Sequence, residues 1–206
     1  MTATLSRSPV HKPIGPVWTW PNLLTAVRFV LCVPLFVCIL RGWWWSAVAL
    51  LVVAVLSDWL DGWLARRTKT TSPLGRNLDP LADKVLVCGS LIFLMSYKSS
   101  GLADWMVAII VIRELLVTSL RSVIEQSGTP FGAAFMGKLK MVLQALALLA
   151  VVIFLALEQG QLEWVSKWRQ LLGWGRDCLL YATVAVTALS GLQYLWRAYA
   201  VFRQSV

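Results

Sequence analysis

Histidine is almost missing from this chain: His11 is the single one in 206 residues. That excludes a catalytic centre built on paired histidines and a histidine-rich metal site. Cysteine is scarce as well. Cys32, Cys38, Cys88 and Cys178 all lie in apolar runs and none forms a C-x-x-C pair, so they read as buried small hydrophobes, not as a disulfide framework or a thiolate metal site. Acids are few, ten Asp and Glu against 19 Lys and Arg, which leaves a formal charge of +9. A basic excess can mark a nucleic-acid binder, but here the charges sit at the ends of apolar runs. That placement suits anionic lipid headgroups and topology control, so no nucleic-acid partner is expected. No internal repeat is evident. The leader, residues 1–21, contains no acid, and the run after it has no small-residue cleavage site, so it reads as a flexible cytoplasmic leader before a retained first helix. So short and acid-free a leader is also compatible with a mitochondrial presequence.

What the chain has in abundance is apolar sequence. Its hydrophobic fraction is 58% and its mean hydropathy +0.70, where a soluble domain is about 45–50% apolar. Apolar runs at 29–40, 44–57, 85–97, 105–112, 141–157 and 178–195, with their flanks, approach the roughly 20 residues that span a bilayer. The expected fold class is therefore an all-α integral membrane protein of about six transmembrane helices, near 22–40, 44–66, 78–97, 104–125, 134–157 and 177–200. These form one membrane domain over 22–200, followed by a tail at 201–206. Between the last two helices, 158–176 carries Leu162, Val165, Trp168, Leu171 and Leu172 at helical spacing and reads as an amphipathic segment lying on the membrane surface. Placing the N-terminus inside puts Arg7, Lys12, Arg66, Arg67, Lys69, Arg76, Lys138, Lys140, Arg197 and Arg203 on the cytoplasmic side, which favours both termini inside. Trp43, Trp44, Trp45 and Trp105 then mark the outer interface, and Trp18, Trp20 and Trp196 the inner one.

The acids are not scattered. Four of them, Asp58, Asp61, Asp79 and Asp83, fall in the window 57–84, SDWLDGWLARRTKTTSPLGRNLDPLADK. Asp58 and Asp61 share one helix face, and Asp79 and Asp83 share another. The Thr, Ser, Pro and Gly between them let the two helices return antiparallel, so the pairs can face each other. Four ionised carboxylates so close to a bilayer edge need a cation. All-oxygen ligands select a hard ion, Mg²⁺ first, then Mn²⁺ or Ca²⁺. Two ions about 3.5–4 Å apart would form a two-metal centre for phosphoryl or phosphatidyl transfer. The competing reading pairs Asp58 and Asp61 with Arg66, Arg67 or Lys84 as structural salt bridges. Gly62 and Ala65 leave room for a ligand or for a close helix.

The order D-x2-D-G-x2-A-R-x8-G-x3-D-x3-D, from Asp58 to Asp83, resembles the signature of the CDP-alcohol phosphotransferases. That resemblance implies a six-helix membrane fold, usually a homodimer, with a CDP-linked donor held between the second and third helices. It implies metal ligation by Asp58, Asp61 and Asp79. Asp83 would contact the same metal site and act as general base on the acceptor hydroxyl. Gly62, Ala65, Arg66 and Gly75 would line the nucleotide beside the aspartates.

Three flanking segments resemble the phosphatidylglycerophosphate synthases of that superfamily: PNLLTAVR (21–28), VIRELLVTSLR (111–121) and GKLKMVLQ (137–144). The resemblance implies CDP-diacylglycerol as donor and sn-glycerol 3-phosphate as acceptor, and suggests site roles for Asn22, Thr25 and Arg28. The residues agree in kind. Arg113 lies deep in the fourth helix with Arg121 eight residues on, and Lys138 and Lys140 open the fifth. Intramembrane cations need a partner or a ligand, and an acceptor phosphate would supply one. A salt bridge from Arg113 to Glu114 or Glu125, and a topology-anchor role for the two lysines, are the alternatives. Among acceptors, phosphatidylglycerol, as in cardiolipin synthases of the same superfamily, and inositol phosphate are the rivals. A transporter or cation channel is the competing class, against which stands the clustering of the acids at one membrane face. The expected location is a bacterial cytoplasmic membrane, with a mitochondrial inner membrane as the other possibility.

Overall fold

The structure, a computed structural model, describes residues 20–68, 73–126, 135–160 and 163–204. The described residues form six α-helices and one short 3₁₀ turn. The helices are α1 (Trp20–Arg41), α2 (Trp44–Thr68), α3 (Pro73–Leu94), α4 (Asp104–Gln126), α5 (Phe135–Gln159) and α6 (Glu163–Gln204), with the 3₁₀ turn at Lys98–Ser100 between α3 and α4. Residues 1–19 of the leader and the last two residues lie outside the described set, and α1 already begins at Trp20.

Turn chemistry decides where the helices stop. α1 ends at Gly42, whose φ is +68°. Its N–H bonds the Ile39 carbonyl at 3.0 Å and the Trp43 N–H bonds that of Cys38 at 2.8 Å. This double closure satisfies the last carbonyls, and glycine adopts the left-handed backbone without strain. The chain then re-enters a helix at once, so α1 and α2 are antiparallel neighbours. α3 opens on Pro73, a first position where a missing N–H costs nothing. The Tyr97 hydroxyl donates to the Ile39 carbonyl at 2.7 Å and its ring meets Trp44 edge-on at 4.8 Å, which ties the end of α3 to the α1–α2 turn.

α1 packs against α2 and α3, α2 against α5, α5 against α6, and α4 against α6. Leu35, Ile39, Leu51, Leu94, Ile110, Val151, Val152 and Leu180 fill the shared core. Gly89 lets α1 and α3 approach closely, since a Cβ there would sit 2.5 Å from the Phe36 ring. α4 and α6 run parallel: the Ser99–Arg176 and Arg113–Ser190 hydrogen bonds both join residues 77 apart.

The last helix departs from the sequence reading. Most of the segment expected as a separate piece over 158–176, from Glu163 on, and the helix expected from 177 form one 42-residue helix, while 158–159 belong to the end of α5. Gly173 and Gly175 do not break it. Gly173 instead faces Phe154 of α5, with 3.9 Å to a built Cβ. The cations that interrupt the apolar run are absorbed by neighbours. Arg169 pairs with Glu158. Arg176 stacks on Phe154 at 4.4 Å and donates to the Ser99 carbonyl at 2.5 Å and to Asp177 at 2.7 Å.

Gly101, which follows the 3₁₀ turn, has φ +73°, and a Cβ there would lie 2.6 Å from both Arg176 and Asp177. Gly101→Ala is expected to cost about 1–2 kcal/mol from the left-handed backbone alone, with the displaced Arg176 adding to it. Thermal unfolding in detergent would read this as a lowered midpoint. An unchanged midpoint would mean that the turn relaxes freely.

Two described helices are long and apolar enough to cross a bilayer, Met136–Gln159 and Ser166–Ala200, and Trp44–Ser57 is a shorter apolar stretch. The outer surface is apolar well beyond what a soluble domain shows. Val30, Val33, Val37 and Leu40 line one side of α1, Val30 at 69% exposure, and α6 turns Leu189, Leu192, Trp196 and Tyr199 outward, Trp196 at 77%. These faces and the apolar helices describe a membrane protein.

Candidate functional site

A cavity of about 660 Å³ opens between α2, α3 and α5, with one residue of α1 at its end. Its walls follow from helical periodicity. α2 contributes Leu51, Val52, Ala54, Val55 and Leu56, and α5 contributes Met141, Val142, Ala145, Leu146, Leu148 and Leu149. Both helices carry near-continuous apolar sequence here, so whichever residues face the gap are apolar. Small residues at Ala54 and Ala145 leave the space open.

Polar groups gather at one end. Asp83 from α3, Arg28 from α1, and Lys138 and Gln144 from α5 line the same cavity as the apolar walls. Arg28 is 3% exposed and Asp83 half-buried, while Lys138 is exposed. The site is amphiphilic: an apolar trough shares its lining with one carboxylate and two cations. Val52, Val55, Leu56, Met141, Val142 and Leu146 line the trough and are also exposed, so it is open along one side of the bundle.

Behind this polar end lies a buried cluster. Glu114 of α4 accepts hydrogen bonds from Lys140, from Arg113 Nη1 at 3.4 Å and from Gln144 Nε2 at 3.4 Å. Arg113 Nη2 donates to Ser190 Oγ of α6 at 2.6 Å, and its guanidinium lies 5.6 Å from the Tyr194 ring centroid. The stem of Arg113 can lie against α6 because Gly191 has no Cβ; one there would be 2.9 Å from Arg113 Cγ. Lys140 is also within electrostatic range of Asp83. One carboxylate therefore serves two cations.

The residues expected from the sequence fall into three groups. Arg28, Asp83 and Lys138 come together around the cavity. Arg113 and Lys140 meet on Glu114 behind it, and Arg121 is exposed on α4, outside the lining. The side chains of Asn22, Thr25, Asp58, Asp61, Ala65, Arg66 and Asp79, and the surroundings of Gly62 and Gly75, lie outside the described set. Their helices are clear: Asp58, Asp61, Gly62, Ala65 and Arg66 belong to the last turns of α2, and Gly75 and Asp79 to the first turns of α3. Among the described residues no group of three acids, histidines or cysteines could hold a metal ion. The donor set expected from the sequence, Asp58, Asp61 and Asp79 with Asp83, would offer hard oxygen ligands suited to a divalent cation, and the side chains of its first three members lie outside the described residues.

The sequence reading missed Gln144 and Ser190, and saw Glu114 only as a possible partner of Arg113. Spacing offered a signal for the first. Gln144 is four residues from Lys140, one turn along an otherwise apolar helix, where two polar residues on one side need a common partner.

Comparison with known proteins gives a consistent result. The sequence model of the family described as CDP-alcohol phosphatidyltransferase matches residues 18–189. A Bacillus subtilis (strain 168) protein named CDP-diacylglycerol--glycerol-3-phosphate 3-phosphatidyltransferase is 30% identical over 202 residues, covering 90% of this chain and 97% of its own. The protein of the same name from Pseudomonas fluorescens is 33% identical over 183 residues, covering 87% and 89%. That from Cereibacter sphaeroides is 30% identical over 206 residues, covering 89% and 90%.

Proposed function

The chain belongs to the CDP-alcohol phosphatidyltransferase family, and on that premise we propose that it transfers the phosphatidyl group of CDP-diacylglycerol to sn-glycerol 3-phosphate, releasing CMP. The observation that carries the reading is the amphiphilic cavity, whose apolar trough ends at Asp83, Arg28 and Lys138. A diacyl donor needs such a shape, apolar along its chains and charged at its pyrophosphate. The names of the bacterial relatives support the choice of donor and acceptor.

In this reading the acyl chains lie along α2 and α5, and the CDP group lies by the last turns of α2 and the first turns of α3. Gly62, Ala65, Arg66 and Gly75 line the nucleotide beside Asp58, Asp61 and Asp79. Asp58, Asp61, Asp79 and Asp83 would hold the divalent cation the family generally uses, two Mg²⁺ or Mn²⁺ ions, whose charge offsets that of the pyrophosphate when bound. Asp83 takes the proton of the acceptor hydroxyl. The acceptor oxygen forms a new bond to the phosphorus that carries diacylglycerol, and the bond from that phosphorus to CMP breaks, CMP leaving with the electron pair. Arg28, Lys138, Lys140 and Arg113 supply the positive field for the acceptor phosphate. We place all six helices across a bacterial cytoplasmic membrane in a homodimer, both termini and the cavity's polar end on the cytoplasmic side, which agrees with the distribution of Lys and Arg.

The test is CMP release by purified protein in detergent, with CDP-diacylglycerol, Mg²⁺ and separate acceptors: glycerol 3-phosphate, phosphatidylglycerol, inositol 1-phosphate, inositol and serine. Release with glycerol 3-phosphate alone, stopped by EDTA and restored by Mg²⁺ or Mn²⁺, is the expected result. Release with another acceptor would overturn the acceptor, and release in EDTA would overturn the metal site. The trough is tested separately. Ala145→Trp should displace two to three methylenes of a bound chain, about 2 kcal/mol, and so raise the apparent KM for a long-chain donor roughly thirtyfold. A short-chain donor should be affected less, and equal effects on both would remove the acyl chains from this cavity.

A further inference from the structure

Glu114 has no part in the transfer as described, yet it is the most connected buried acid among the described residues. It lies inside α4 at 6% exposure, and its carboxylate binds Lys140 and Gln144 of α5 and Arg113 of its own helix. Arg113 passes the connection to Ser190 of α6. Stability alone does not account for this arrangement. A buried ion pair gives little or no stability over apolar side chains that fill the same space.

Where its partners lead explains more. Gln144 lines the cavity together with Asp83, and Lys138, half a turn before Lys140, lines it as well. Lys140 also feels the charge of Asp83. Glu114 thus grips the same two turns of α5 that form the cavity's polar end. Charge points the same way. One carboxylate faces two buried cations, Arg113 at 9% and Lys140 at 5% exposure, so Glu114 alone does not neutralise the cations it gathers beside the place where a phosphate monoester would bind.

We infer that Glu114 is a positioning residue for the acceptor: it holds Lys140 and Gln144, with Arg113 behind them, so that this end of the cavity presents fixed positive charge to the acceptor's phosphate. The inference rests on the transfer to glycerol 3-phosphate proposed above. Glu114 touches neither donor nor acceptor. It works through the ammonium it orients, and through a carboxylate that neutralises only half of the charge it gathers.

The experiment is steady-state kinetics of CMP release with Glu114→Gln, varying donor and acceptor separately. The amide keeps the shape and removes the charge that orients Lys140. The expected result is an acceptor KM raised about tenfold with the donor KM within about twofold of the parent. Unchanged acceptor KM, or both KM values rising together, would overturn the inference. A second variant keeps the test decisive if the first folds poorly. The exchange Glu114→Lys with Lys140→Glu restores an ion pair but moves the ammonium from α5 to α4. Its thermal midpoint should recover towards that of the parent while its acceptor KM stays raised. Recovery of the acceptor KM as well would show a pair that serves packing alone. Absence of CMP release with glycerol 3-phosphate from the unsubstituted protein would remove the underlying reading, and this inference with it.

Discussion

Asp83→Asn is expected to lower CMP release by about 10²–10⁴-fold, the usual contribution of a general base. Asparagine is nearly isosteric with aspartate, so the half-buried side chain keeps its volume at the cavity's polar end, beside Arg28 and Lys138. What it loses is the ability to accept the proton of the attacking hydroxyl, and the one negative charge among the described residues of the cavity lining. Folding should be little affected, since no core packing is removed. The thermal midpoint should stay within a few degrees of the parent while turnover collapses. The comparison needs both readings from one preparation. Activity within tenfold of the parent, from protein with an unchanged midpoint, would show that another group takes the proton.

Lys140→Ala should act first on stability, with a loss of about 3–5 kcal/mol. Lys140 and Glu114 are 5% and 6% exposed, and the ammonium is the nearest cation to the carboxylate. Truncation leaves Glu114 to Arg113 Nη1 and Gln144 Nε2, both at 3.4 Å, long for hydrogen bonds to a charge. Unfolding in detergent by heat or denaturant checks this. The variant Lys140→Met should recover part of the loss, because the packing of the lysine stem is restored while Glu114 keeps Arg113, and yet should not recover acceptor kinetics. Lys138→Ala provides the contrast. Lys138 is exposed, so its removal should leave stability unchanged and raise the acceptor KM. A loss below about 1 kcal/mol for Lys140→Ala would mean that water reaches the pair.

These two lysines show how far the sequence could be read. Both begin the fifth helix and both suited a phosphate, so composition and spacing grouped them. Two residues along a helix is a rotation of about 200°, and only the reach of the Glu114 side chain from α4 to Lys140 separates that lysine from the one at the cavity. The family was legible because the four-aspartate window that carries the resemblance is local, two carboxylate pairs each within one turn, and the family match bears that resemblance out. The cavity was not, since its walls come from α2 and α5, far apart in sequence, and an apolar residue that lines a trough looks like one that faces lipid. Helix boundaries erred where local signals met tertiary partners. The sequence reading divided an amphipathic segment ending at 176 from a helix beginning at 177, but Phe154, Glu158 and the Ser99 carbonyl take up Gly173, Arg169 and Arg176 and α6 continues through them. Pro73 begins α3 in a stretch whose Thr, Ser, Pro and Gly content reads as loop.

The trough's open side has a kinetic consequence. Val52, Val55, Leu56, Met141, Val142 and Leu146 are at once its lining and part of the protein's apolar exterior. A donor with two acyl chains can enter sideways from the bilayer leaflet without leaving hydrocarbon. The concentration the enzyme senses is then two-dimensional, the mole fraction of donor among surrounding amphiphiles. Adding inert detergent at constant bulk donor should slow the reaction, whereas adding buffer at constant donor-to-detergent ratio should leave the rate per enzyme unchanged. The water-soluble acceptor obeys the opposite rule, so the two substrates of one cavity are counted in different dimensions.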